Sequence, residues 1–131
     1  MLLKPKRFLL LMLCQPVLGM SQWVKIDETP GMTTFADIST MLASDDNRVA
    51  RVLMDFKGPI DDDLASTITE EKFDCAMRLR QTLKGEHFSE NMGQGKPNYS
   101  YAEPLRWKKV VKGDGWEPVF KLVCGYSVPS E

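Results

Sequence analysis

Few side chains in this 131-residue sequence have catalytic chemistry to offer. His87 is its single histidine, so a general base of the commonest type has one place to sit, and no serine or cysteine nucleophile is spaced to pair with it. Gly-x-Ser-x-Gly, His-Glu-x-x-His and Cys-x-x-Cys are all absent. Asp61-Asp62-Asp63 supplies carboxylates, but an EF-hand loop alternates its ligands around a glycine and closes with a glutamate, which this stretch does not. Gly93-x-Gly95-Lys96 is a fragment of a phosphate loop without the rest of the motif or a helix behind it, and it reads as a turn. This inventory argues against an enzyme and implies no metal and no cofactor.

The residues that suit recognition are basic and aromatic. Arg78, Arg80 and Lys84 fall on alternate positions, Lys108 and Lys109 fit a neighbouring strand, and Tyr99, Tyr101 and Trp107 lie between them in sequence. Together they make a candidate binding patch for an acidic protein or a glycan.

Strands must position these groups. Phe73, Cys75, Met77, Leu79 and Leu83 keep an even spacing while Asp74, Arg78, Arg80 and Lys84 point the other way, which predicts one long central strand over Glu70 to Leu83. Before it, Trp23-Val24-Lys25-Ile26 and a weaker strand, Met32 to Ile38, form a hairpin around Pro30-Gly31. The turn Ser44-Asp45-Asp46-Asn47 leads to an interior strand, Arg48 to Phe56, and residues 58–69 read as a polar connection. After it, Lys84-Gly85-Glu86 predicts a second hairpin that brings back His87 to Met92. A loop carries Tyr99 and Tyr101, and Leu105 to Val111 forms a last strand. Trp116, Val119, Phe120 and Val123 then follow helical spacing. Asp114 and Glu117 make its capping box, Pro118 sits in the first turn, and Gly125 follows its end.

Lys4, Lys6 and Arg7 precede the apolar run Phe8 to Leu13, the layout of a secretory signal peptide over residues 1–19. That run is too short for a transmembrane span. Leu13 before Cys14 is unlike the small residue that precedes a lipid-modified cysteine, so an outer-membrane lipoprotein is not expected. Removing the leader takes three of the 17 basic residues and none of the 18 acidic ones, leaving a net charge of −4 on a single domain, 20–131. This balance argues against nucleic acid and broad attraction to anionic membranes. The two cysteines left in an exported chain, Cys75 and Cys124, read as one disulfide. The expected fold is α+β: an antiparallel sheet of about six strands with a C-terminal helix tethered by one disulfide.

Several stretches together resemble the surface-adhesin protein E family of Gram-negative bacteria. They are Trp23, the strands around Asp37 and over Arg48 to Phe56, Phe73-Asp74-Cys75 with Arg78 and Arg80, the run Phe88 to Gly95, Trp107, and Lys121-Leu122-Val123-Cys124. The resemblance covers nearly the whole domain and contains no catalytic motif. It implies a six-stranded antiparallel sheet with the helix tethered through Cys75 and Cys124. It also implies a protein-binding module in the periplasm or at the cell surface, with host extracellular-matrix or plasma proteins such as vitronectin and laminin as partners, and a chain able to form a homodimer. An alternative that it carries is a soluble periplasmic protein binding a small, haem-like ligand at His87 with Tyr99 or Tyr101.

Overall fold

The computed structural model describes residues 22–58, 60–61 and 63–125. The leader, its cleavage point, Cys14 and Asp62 lie outside the described residues. Large and polar residues alternate from the start of β1 (Trp23–Glu28), which turns at Pro30-Gly31 into β2 (Met32–Ser44), as expected. A tight turn, with Asp45 at φ 51°, leads to β3 (Asn47–Phe56). Then come β4 (Ser66–Asp74), β5 (Leu79–Phe88), β6 (Tyr99–Tyr101), β7 (Lys108–Lys109) and α1 (Glu117–Gly125). The strands form one antiparallel sheet in the order β1-β2-β3-β4-β5, with β6 and β7 both on the outer edge of β5. The architecture is mostly sheet, seven strands among the described residues where about six were expected, the seventh only two residues long, with a small helical part.

The long strand expected over Glu70 to Leu83 is instead a hairpin. The chain reverses at residues 75–78, where Asp74 Oδ1 accepts the Met77 N–H at 3.0 Å and Arg78 adopts φ 54°. The even apolar spacing runs through the turn, so Met77 is exposed. The hairpin expected at Lys84-Gly85-Glu86 does not form, because those residues lie inside β5 and pair with β4, Gly85 and Glu86 pairing with β6 as well. Residues Ser66 to Thr69, read as part of a connection, belong to β4, and the last strand shrinks to Lys108–Lys109.

β2 continues past Ile38 through an irregularity in which residues 38–41 oppose only Ala50. Asp37, fully buried, fixes this bend by accepting Ser39 N–H at 3.0 Å and Ser39 Oγ–H at 2.5 Å. The bend delivers Ile38 and Met41 to the core.

One sheet face is covered by α1. Ala50, Val52, Phe73, Val119, Phe120 and Val123 make its core, with Trp116 packed against it. Burying an apolar side chain of this size stabilises by about 1.5–3 kcal/mol. Asp114 Oδ1 accepts the N–H groups of Trp116 (2.8 Å) and Glu117 (3.0 Å), and the Glu117 carboxylate receives Gly113 N–H at 3.4 Å. The cap expected from sequence is therefore present, one residue displaced in its return bond, while Gly125 is the last helical residue. Cys75 is bonded to Cys124, which ties α1 to the β4–β5 turn.

Among the described residues, no α-helix covers the opposite face. At one end a short 3-10 turn, Asn91–Gly93, packs over Leu53 and Ile68. It is pinned by Met92 N–H and Asn91 Nδ2, which donate to Asp55 Oδ1, and by Gly93 N–H, which donates to Ser66 Oγ. Met92 and Gly93 both hold positive φ there.

Candidate functional site

Directly paired residues of neighbouring strands project from the same side of a sheet, so the register sorts the expected patch. Phe73 pairs with Arg80, which places Arg80 on the helix side. Its guanidinium bonds Glu71 Oε1 at 2.9 Å and stacks 3.9 Å from the centre of the Trp116 ring, with only 12% of the side chain exposed. Glu71 is fully buried, and burial pushes its carboxyl pKa above the usual range despite the hydrogen bond from Thr82 and the charge of Arg80. Arg78 pairs with Glu117 at 3.0 Å and lies over Phe120. These two arginines join the β4–β5 hairpin to the first turn of α1 and to Trp116 just before it.

Lys84 projects from the helix-free face. There the register aligns Trp23, Asp37, Arg51, Glu70 and Lys84 across five strands. The rank alternates in sign: Arg51 lies 3.7 Å from Asp37 and 5.2 Å from the Trp23 ring centre, and Lys84 lies 3.5 Å from Glu70. Beside it Arg51, Ile68, Glu70, Lys84, Glu86 and Ser100 line a groove of about 460 Å³. One turn of the pleat away, Leu42 pairs with Val49 and Val49 with Lys72. Leu42 is 68% exposed. The Lys72 ammonium lies 5.9 Å from the centre of the Trp107 ring, itself 41% exposed.

Tyr99 and Tyr101 fall on the helix side, beyond the reach of α1's core. Tyr99 and His87 are paired and tilted at 5.1 Å, and Tyr101 meets His87 edge-on at 6.4 Å. The Tyr101 ring lies across Gly85, where a Cβ would come within 2.5 Å of its hydroxyl. Burial, with the charges of Glu71 and Tyr99, raises the Tyr101 pKa. Asp61, Asp63, Leu64, His87, Asn98 and Tyr99 border a cavity of about 480 Å³. Among the described residues His87 is hydrogen-bonded to no nucleophilic side chain, and no three acidic, histidine or cysteine residues gather as metal ligands.

The eight patch residues thus divide among four places: Arg78 and Arg80 against the helix, Tyr99 and Tyr101 around His87, Lys84 on the open face, and Trp107, Lys108 and Lys109 at the short edge strand. Leu42, Val49, Arg51 and Lys72, which line the open face, were not singled out from sequence. Their signal was the length of β2, hidden by its bend.

A protein-family model described as surface-adhesin protein E matches residues 23–125. The chain belongs to the surface-adhesin protein E family. Its fold is similar to crystal form II of Haemophilus influenzae protein E, with a TM-score of 0.55 and 10% identity over 81% of this chain and 96% of that one. The selenomethionine form of the same Haemophilus influenzae protein gives a TM-score of 0.52 and 12% identity, covering 81% and 95%. No curated protein matches the sequence. Within the family frame, the run Phe88 to Gly95 that carried the resemblance is a packing device on the open face, and Cys75 and Cys124 are the helix tether. No helix of the described residues is long and apolar enough to cross a membrane.

Proposed function

We propose that this chain is an exported, non-catalytic adhesion module that binds host extracellular-matrix or plasma proteins through the helix-free face of its sheet. Membership of a surface-adhesin family supports the class. The observation that carries the surface is the exposed Leu42 and the half-buried Val49 paired with it, beside the alternating charges of Arg51, Glu70 and Lys84. Apolar groups framed by ordered charge are what a protein interface needs: the first supply affinity, the second register. The leader read at residues 1–19 directs the chain to the periplasm or cell surface. Among the described residues β1 pairs with β2 alone, and its other edge is where a second copy would extend the sheet into a homodimer.

Immobilised vitronectin and laminin provide the test. The exported chain should bind at least one of them above an unrelated exported domain, and Leu42→Asp should lower that binding about tenfold while the thermal midpoint stays unchanged, as expected for a central interface position. Equal binding by Leu42→Asp, or none by the parent, removes the reading.

A second reading, a haem-like ligand, is favoured by one observation: His87 and Tyr99 both border the 480 Å³ cavity. Imidazole nitrogen and phenolate oxygen are the atoms that hold haem iron. Haemin titration should then shift the Soret band, and His87→Ala should abolish the shift. An unchanged spectrum with the parent chain excludes it.

A further inference from the structure

The cations of this domain are mostly neutralised in pairs. Lys25 and Lys57 share Glu28, Arg78 and Lys121 share Glu117, Arg51 faces Asp37, Arg80 meets Glu71, and Lys84 meets Glu70. Arg48 donates to the carbonyls of Asp45 and Asn47. Among the described residues, the basic side chains in no ion pair are otherwise Lys96 and one group: Lys72, Arg106, Lys108, Lys109 and Lys112. All but Lys72 belong to a single segment, 104–113, exposed except at Val110 and containing no acidic residue, with Glu103 directly before it. The nearest carboxylate after it, Asp114, is committed to the helix cap and to the Val111 N–H at 2.8 Å.

The backbone displays this charge along a line. Leu105 N–H bonds the Thr82 carbonyl, β7 pairs with Leu79 and Arg80, and Val110 N–H bonds the Arg78 carbonyl, so the segment runs extended along β5. Lys109 shares a side with Leu79 and Lys108 with Arg80, so the ammonium groups stand on both sides of one edge strand. Near Lys108 the buried Glu71 carboxylate is already bonded to Arg80 and Thr82. Trp107 presents its ring beside Lys72.

From this we infer that the 106–112 edge is a binding strip for a linear sulfated polysaccharide. Its sulfates would meet Arg106, Lys108, Lys109 and Lys112, and Trp107 would stack against a sugar ring. A strip one chain wide, charged on both sides, suits a flexible polyanion; a folded acidic protein needs a broad, flat face. Unpaired cations also attract a polyanion by releasing its counterions, a gain that cations already in ion pairs give less of. The inference goes beyond the protein-docking reading and does not rest on it.

The test uses the exported chain and heparin in calorimetric titrations at several salt concentrations. The parent should bind heparin, with affinity falling as salt rises. Lys108→Gln/Lys109→Gln should weaken binding about tenfold and lower the salt slope by between one and two. Lys96→Gln should match the parent, and desulfated heparin should not bind. Arg106→Gln/Lys112→Gln provides a second variant if the first loses its fold by circular dichroism. Unchanged affinity in both double variants overturns the assignment, as does equal binding of desulfated heparin. Polyglutamate or anionic vesicles binding as tightly as heparin overturn it in favour of an acidic protein or a lipid surface. Leu42→Asp separates the two proposals, because it should lower host-protein binding and leave heparin binding intact.

Discussion

Glu71 is the residue with the most to lose from its surroundings. Its Oε1 accepts from Arg80 and Thr82, while its Oε2 is buried with no hydrogen-bond partner. Its folded pKa lies above the unfolded value, so between the two the native state holds the extra proton. Stability from this group is therefore complete below the ordinary glutamate range and declines as pH rises through the elevated folded value. Urea denaturation across that window should show the decline, and Glu71→Gln should flatten it; an unchanged slope in the variant would place its source elsewhere. Arg80→Met leaves the carboxylate buried without its cation and should cost about 3–5 kcal/mol at neutral pH, with less lost once Glu71 is protonated. Gly85 makes a different demand. As a glycine between charged residues it reads as a turn, yet it sits in mid-strand because Tyr101 from β6 occupies the space of a Cβ. Gly85→Ala should displace that ring and cost about 1–3 kcal/mol by overpacking, measured as a lower thermal midpoint with altered tyrosine fluorescence. No local pattern announces a contact made sixteen residues later in the chain.

Elements whose signals are local were legible. The helical spacing from Trp116 to Val123 and the cap at Asp114 both appear in α1, as do the β1–β2 hairpin and β3. Asp114→Ala removes an acceptor for three backbone N–H groups, those of Val111, Trp116 and Glu117. It should cost about 1–2 kcal/mol, seen as a lower denaturation midpoint with an unchanged m-value. The β4–β5 hairpin was illegible for a physical reason. Its turn, Cys75-Ala76-Met77-Arg78, contains no glycine, proline or asparagine, and its reversal depends on the Asp74 side chain and on the Cys75 N–H bonding the Asp46 carbonyl of the neighbouring turn. Two hairpin tips thus support each other, which only the assembled sheet reveals. A bulge at Leu83, where Glu70 pairs with Lys84 but Glu71 with Thr82, puts Arg80 and Lys84 on opposite faces of the sheet despite their even spacing, and no residue type in the sequence announces it.

At the scale of the whole molecule, the Cys75–Cys124 bond closes 49 residues that include β5, β6, β7 and α1. The chain-entropy model assigns such a closure about 4 kcal/mol. Cys75→Ser should lose about that much, and Cys75→Ser/Cys124→Ser no more, since either change breaks the same bond. Additive losses in denaturant titrations would contradict the tether. The fold class and the disulfide could be read from the sequence, whereas the open face could not, because it is assembled from five strands, β1 to β5, and has no contiguous motif. The tether also sets an order of events during biogenesis. Cys124 follows every described strand, so a chain delivered N-terminus first presents all its sheet segments before α1. Until α1 docks, Val52 and Phe73 lack the cover it gives them in the fold, which is the stage at which the domain should be most prone to aggregate.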